Sequence, residues 1–332
     1  MKKYTILIVG GAGYIGSHMV KILAKDGHRV IVFDNLSTGF ADAARFGVKL
    51  IVGDLADNAL LDRLFNDYQF DAVMHFAAAS LVGESMEDPA KYYRNNVSNT
   101  LNLLDSMVKH LVLNFVFSST AAIFGEPEFT PIDEDHPKNP INPYGASKLM
   151  IERILEDYAA AYGLNSVSLR YFNACGADPD GDLGEMHDPE THLMPLVLQA
   201  SSGRRDNIKI FGTDYPTPDG TCVRDYIHIL DLCDAHRLAM YQLLDEKLKG
   251  AEVFNLGNGN GFSVKEVIDC AKEIVAKDQK KIDVIIDSRR AGDPAILVAD
   301  STRAETILSW RPVFSDVNQM LSHAWVWEKK QS

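Results

Sequence analysis

The chain is poor in cysteine, short of positive charge and without any long apolar run. Among its 332 residues the cysteines are Cys175, Cys222, Cys233 and Cys270, with no Cys-x-x-Cys pair and no histidine at zinc-finger spacing. This excludes a disulfide scaffold and fits reduced thiols, so a cytoplasmic location is expected and no metal is assigned. Thirty-three Lys and Arg stand against 46 Asp and Glu, a formal net charge of −13. Coating nucleic acid takes excess positive charge, so no nucleic-acid partner is expected, although a local basic pocket for one small anion is compatible. No window of about twenty apolar residues exists, so no helix is expected to span a membrane. Lys2-Lys3 mimics the head of a secretion signal, but the apolar stretch after it is too short and runs into Gly10-Gly11.

What is present reads as a globular α/β protein. The composition is 46% hydrophobic and 24% charged, and the length suits two domains. Apolar, β-branched runs recur at residues 4–9, 29–33, 49–52, 72–75 and 114–117, with helically spaced segments between them. That alternation predicts a doubly wound parallel sheet of Rossmann type. Longer helices are predicted over residues 89–110 and 144–162. Tyr93, Val97, Leu101, Leu104 and Val108 form one stripe on the first, and Ile151, Ile154, Leu155, Tyr158 and Tyr162 form one on the second. Tyr92, Leu103, Met107, Leu149 and Met150 lie off those stripes and suggest a further buried surface, hence a homodimer through these helices. Past Cys175 the pattern loosens into turn-rich stretches at 178–189 and 212–220. The expectation is a dinucleotide-binding domain over 1–175. Residues 176–332 would form a smaller, mixed α/β substrate lobe, some of whose segments return to the first domain.

Two local motifs carry chemistry. Gly10-Gly11-Ala12-Gly13-Tyr14-Ile15-Gly16 follows the first strand and opens a helix. Glycines there let the backbone turn tightly and approach a pyrophosphate at a helix N-terminus. The second strand ends at Asp34-Asn35, where a carboxylate accepts from both ribose hydroxyls and repels a 2′-phosphate, favouring NAD over NADP. Asp54, after the third strand, is a candidate for the adenine edge. Further on, Tyr144 and Lys148 stand one helical turn apart. A free phenol is a poor base at neutral pH, and a neighbouring ammonium together with the positive ring of oxidised nicotinamide favours its phenolate. Ser118-Ser119-Thr120 ends the fifth strand and offers hydroxyls to a substrate oxygen.

Taken together, Gly10-x-x-Gly13-x-x-Gly16, Asp34, Thr120 and Tyr144-x-x-x-Lys148 resemble the extended short-chain dehydrogenase/reductase superfamily. Further motifs narrow the resemblance to the UDP-glucose 4-epimerase (UDP-galactose 4-epimerase) family. They are His75-Phe76-Ala77, Val82-Gly83-Glu84-Ser85, Asn95-Asn96-Val97, Leu169-Arg170-Tyr171-Phe172-Asn173, Val223-Arg224-Asp225-Tyr226-Ile227-His228 and Arg289-Arg290-Ala291-Gly292-Asp293. The likeness runs from Ile6 to about Trp327. It implies tightly held NAD and reversible inversion at the sugar C4 of a UDP-hexose, through a transient 4-keto sugar and bound NADH. In that scheme Tyr144 takes the 4-hydroxyl proton, Thr120 bonds the same oxygen, and Lys148 holds the nicotinamide ribose. Cofactor contacts are implied for Tyr14, Ile15, Asp34, Asn35, Asp54, Leu55, Phe76, Ala77, Asn95 and Tyr171 beside the glycines. On the substrate side, Arg224 and Arg290 would clamp the diphosphate. Asn173 would meet a phosphate or the sugar, Leu193 and Phe211 the uracil, and Asp293 the uridine ribose.

The chain departs from the family pattern at four places. Many members carry Lys where this chain reads Ala79-Ser80, which removes one cofactor contact. Thr120 replaces a common serine and keeps the hydroxyl. His192 stands where Asn is frequent, altering a uridine-side contact. Leu297 occupies the position whose size governs room for an N-acetyl group, and leucine is intermediate, so N-acetylated UDP-hexoses stay open as substrates. A 4,6-dehydratase of the same superfamily has Asp-Glu after the threonine, whereas Ala121-Ala122 here cannot transfer protons. The remaining alternatives are a uronate epimerase, a decarboxylase, and a catalytically silent dinucleotide-binding regulator. The regulator would have no need of Tyr144, Lys148 and Thr120 together.

Overall fold

The computed structural model describes residues 2–290 and 293–331. Six apolar segments form successive parallel strands: β1 (Thr5–Val9), β2 (Arg29–Asp34), β3 (Lys49–Val52), β4 (Ala72–His75), β5 (Asn114–Ser118) and β6 (Asn165–Tyr171). A seventh strand, Ala251–Leu256, comes from far along the chain and pairs with β6, giving the order β3-β2-β1-β4-β5-β6 and then Ala251–Leu256. The starts and ends of β1 to β5 lie within one residue of those read from the sequence, which did not single out β6 or Ala251–Leu256. The order reverses between β1 and β4, and that reversal opens a crevice at their carboxyl ends.

Side-chain alternation along β1 explains why the sheet is covered twice. Ile6 and Ile8 pack with Met19 and Leu23 of α1 (Tyr14–Lys25) and with Leu232 and Ala239 of the helix Ile229–Leu244. Leu7 and Val9 face the other way, onto Leu61 and Leu64 of Asn58–Asp67, Leu104 of Asn99–Lys109 and Leu155 of Pro143–Tyr162. Strands buried on both faces read as unbroken apolar runs, as these do.

The second lobe is mixed, as expected. Val223–His228 pairs antiparallel with Gly261–Ser263 and parallel with Asn173–Cys175 and Ile296–Leu297. Ile208–Phe211 and Val284–Asp287 make a separate two-stranded sheet. Helices Leu193–Ser202, Val264–Ala276 and Val317–Glu328 close over a core that includes Met194, Val197, Val267, Ile268, Met320 and Leu321. Of the motif at 289–293, Ala291 and Gly292 lie outside the described residues.

The faces of the first long helix differ from the sequence reading. Residues 89–109 run as Pro89–Tyr92, a π-helical turn Tyr93–Ser98, and Asn99–Lys109. The buried side carries Tyr92, Asn96, Thr100, Leu103, Leu104 and Met107, whereas Tyr93, Val97, Leu101 and Val108 are only half-buried. Tyr92, Leu103 and Met107 are therefore spent on the chain's own core and give no argument for a second surface. The apolar stripe misled because the buried face includes polar residues that pair internally. Asn96 bonds Ala79 and Ser147, and the Thr100 hydroxyl meets His75 Nε2 at 2.9 Å.

Candidate active site

The glycine loop occupies the carboxyl end of β1. Gly10 has φ +80°, and a Cβ there would stand 2.4 Å from the Ala77 nitrogen, so the chain after β4 can press against the loop only if residue 10 is glycine. Gly13 is different. Its backbone is extended, with φ −82°, and a Cβ would meet nothing nearer than the Gly10 oxygen at 3.5 Å. The fold itself does not demand glycine at 13. The space it leaves lies at the start of α1, where no side chain caps the helix and no acid stands in the first turn. An uncapped N-terminus with room for close approach fits a pyrophosphate.

The side chains around the loop are fixed by backbone amides. Asp34 Oδ2 accepts from Ala12 N at 2.9 Å and Oδ1 from Leu36 N at 2.8 Å. Asn35 donates to Asp54 at 2.8 Å, and Asn99 joins the same carboxylate at 3.5 Å. Asn99 was missed because that helix was read for its apolar stripe. Leu55 is buried, Phe76 stacks obliquely on His236, and Asn95 donates to Asn96. Tyr14 turns toward the other lobe, its hydroxyl donating to the Gly176 carbonyl at 2.7 Å, while Ile15 packs into the first core.

At the end of β5 the chain brings Thr120, Tyr144 and Lys148 together. Asn142 caps the helix Pro143–Tyr162 by accepting from Gly145 N, and Pro143 suits its first turn. A Cβ at Gly145 would lie 2.4 Å from the Ala122 carbonyl, so glycine lets the helix start touch the turn after Thr120. The Tyr144 phenol is buried next to the Thr120 side chain, with Lys148 Nζ 6.0 Å from the centre of its ring. Lys148 Nζ donates to the Ser118 carbonyl at 2.8 Å, and the Tyr171 hydroxyl lies 2.5 Å from Ser118 Oγ. One turn on, Glu152 accepts from Ser119 at 2.6 Å and from Arg170 at 2.7 Å, a buried pair that locks β5, β6 and the helix together.

In the protein alone, burial dominates the electrostatics of the pair. Burial raises the Tyr144 phenol above its usual value, opposed by the Thr120 hydrogen bond. Burial also pulls Lys148 down to about 7, against the pull of Glu152. In the protein alone the lysine does not bring the phenol toward neutrality, because desolvation penalises both charged forms. Lowering the phenol takes a further positive charge placed beside it.

In the second lobe a cavity of about 220 Å³ is lined by Asn173, Leu193, Phe211, Arg224, Arg290 and Asp293. Arg224 is ion-paired with Asp293, and the Arg290 guanidinium stands 3.9 Å from the centre of the Phe211 ring. Asn173 donates to the Asp225 carbonyl at 3.0 Å. His192 lines the same cavity but is turned onto Glu185 at 2.6 Å. Leu297 is not among the lining residues. It sits in register with Arg224 and packs on the cluster of Ile123, Phe124 and Ile132 next to Thr120. Ala121 and Ala122 follow Thr120 directly, so no acid stands there.

Comparison with known proteins agrees with this geometry. The model of the NAD dependent epimerase/dehydratase family matches residues 6–257. A UDP-glucose 4-epimerase from Halalkalibacterium halodurans is 51% identical over 325 residues, covering 98% of this chain and 96% of that protein. The crystal structure of UDP-glucose 4-epimerase from Brucella ovis in complex with NAD superposes with a TM-score of 0.93 at 48% identity, over 97% of each chain. The UDP-Glc/GlcNAc 4-epimerase of Campylobacter jejuni superposes at 0.85 with 43% identity, over 98% of this chain and 99% of its own.

Proposed function

The chain belongs to the NAD dependent epimerase/dehydratase family, and on that premise we propose that it interconverts UDP-galactose and UDP-glucose by inversion at C4. The observation that carries this reading is the buried Tyr144 phenol next to Thr120 and Lys148, with no acid at 121 or 122 to serve a dehydratase. The enzyme is an NAD-dependent isomerase.

Each residue has a definite task. Gly10, Gly13 and Gly16, with the first amides of α1, hold the pyrophosphate of NAD. Asp34, Asn35 and Asp54 hold its adenosine end, with Leu55, Phe76, Ala77, Asn95 and Tyr171 around it and Tyr14 and Ile15 contributing backbone. When bound, NAD supplies a reversible acceptor for the hydride at the sugar C4. Tyr144 takes the proton of the 4-hydroxyl and returns it, and Thr120 fixes that oxygen. Lys148 anchors the nicotinamide ribose from its seat on the Ser118 carbonyl. Arg224 and Arg290 grip the diphosphate, Leu193 and Phe211 the uracil, Asp293 the ribose and Asn173 the phosphate or sugar, so the hexose is left free to turn. Leu297 borders the hexose and limits room for an acetamido group. Residues 1–175 form the dinucleotide domain and 176–332 mainly the UDP-sugar lobe, with segments such as Ala251–Leu256 returning.

We further take the protein to be a cytoplasmic homodimer. The four free thiols support a reducing compartment. Half-buried Leu101 and Ile154, with exposed Met150 and Tyr162, support pairing through the two long helices. Sedimentation at twice the chain mass is the expected result.

Incubating the purified protein with UDP-galactose and NAD tests the main reading. Conversion to UDP-glucose without net consumption of NAD is expected. A 4-keto-6-deoxy product, or unchanged substrate, would overturn it. UDP-N-acetylgalactosamine in a parallel reaction reads the acetylated substrate class.

A further inference from the structure

The turn-rich segment before the helix Leu193–Ser202 holds a second cluster of chemistry-bearing side chains. Glu185, His187, Glu190 and His192 each offer one ligand atom, and all four atoms lie within 4.8 Å of one another. His187 Nδ1 lies 3.0 Å and His192 Nδ1 2.6 Å from Glu185 Oε1. Glu190 meets the same two rings, with Oε2 at 3.9 Å from His187 Nδ1 and Oε1 at 3.3 Å from His192 Nδ1. The side chains of Glu185 and Glu190 are only 5% and 4% exposed.

One atom in this cluster is unexplained. Glu190 Oε1 accepts from the amides of Thr191 and His192, but Oε2 is buried, has no hydrogen-bond partner among the described residues, and lies 3.9 Å from His187 Nδ1. A buried carboxylate oxygen without a donor is costly. A cation at the centre would remove that cost, and two carboxylates with two neutral imidazoles would balance a divalent charge.

We propose that Glu185, His187, Glu190 and His192 bind one divalent cation of the zinc class. Metal–ligand distances of about 2.0–2.1 Å in a tetrahedral site put neighbouring ligand atoms about 3.3 Å apart. The four histidine–carboxylate separations, 2.6 to 3.9 Å, bracket that value, and all four ligand atoms lie within 4.8 Å of one another. Imidazole with carboxylate favours zinc over calcium or magnesium, which prefer oxygen alone. The nearby triad Asp178, Asp180 and Asp182 is a useful contrast, because its centre is already taken by the Lys21 ammonium, which pairs with all three. The sequence reading assigns no metal, having searched for cysteine and zinc-finger spacing. The missed signal is Glu185-x-His187-x-x-Glu190-x-His192.

The location gives the ion a structural task. His187 meets the Tyr14 ring edge-on, the Glu185 carbonyl accepts from Trp327, and His192 lines the cavity of the second lobe. The cation would therefore staple the loop between the start of α1 and the nucleotide-sugar cavity. Calorimetric titration of chelator-stripped protein with zinc chloride should give one ion per chain and raise Tm. X-ray absorption of the loaded protein should show imidazole nitrogen and carboxylate oxygen at about 2.0–2.1 Å. His187→Gln and Glu190→Gln should each weaken binding by roughly ten-fold or more, since even supporting residues cost 10–100-fold. Absence of stoichiometric binding to the wild type, or unchanged affinity in both variants, overturns the proposal. Should the variants fail to fold, the wild-type absorption spectrum decides, and a spectrum without imidazole scattering overturns it equally.

Discussion

The two walls of the candidate active site are held in opposite ways. On the dinucleotide side the functional groups are pinned by the backbone: Asp34 by two amides, Lys148 by a carbonyl, Tyr144 by a helix whose start presses on the turn after Thr120. On the nucleotide-sugar side the functional groups hold one another. Arg224 pairs with Asp293 and Arg290 lies on Phe211. A backbone-pinned wall keeps its geometry whether or not a ligand is present. Side chains that satisfy each other can exchange partners, so a diphosphate can take over the arginines from what they hold now. The contrast suits a reaction in which the redox partner stays put and the sugar must turn.

The contrast can be attacked from both sides. Tyr144→Phe removes the proton acceptor and leaves the pinned frame, so turnover should fall by about 10²–10⁴-fold with NAD still bound. Turnover near the wild-type rate would take Tyr144 out of the mechanism. Gly10→Ala and Gly13→Ala separate the frame from its cargo. The first drives a Cβ into Ala77 and should cost about 1–3 kcal/mol of stability by overpacking. The second should leave Tm almost unchanged while weakening NAD binding, and equal melting temperatures for the two would erase the distinction. Arg290→Ala deletes a charge-assisted grip and should lower kcat/KM by about 10–100-fold, mostly through KM. A loss confined to kcat would move Arg290 from binding to chemistry. Leu297→Tyr should have the smallest effect, shifting the ratio of plain to acetylated substrate rates by about ten-fold. A constant ratio would show that residue 297 does not border the hexose.

The same contrast governs what could be read from the sequence. The sheet, the glycine loop and the Tyr144–Lys148 pair were legible because strand periodicity, a short glycine spacing and an i,i+4 relation are local. Arg224, Arg290 and Asn173 could be singled out only through family motifs, since strands far apart in the chain bring them to one cavity. The buried face of residues 89–109 was misread because Asn96 and Thr100 are polar and satisfied inside, and hydrophobic periodicity does not count such residues. Burial likewise set the ionisation of Tyr144 and Lys148 against the simple expectation for a phenol beside an ammonium. No spacing rule reports how dry a site is.

Because Ala251–Leu256 completes the sheet against β6, the chain cannot be divided at the point where its motifs change character. A fragment stopping near residue 175 would leave β6 as a bare edge, inviting the strands of other molecules to complete it. Exchanging lobes between relatives would therefore mean carrying this late strand along with the host sheet, and a graft made at the obvious seam would aggregate.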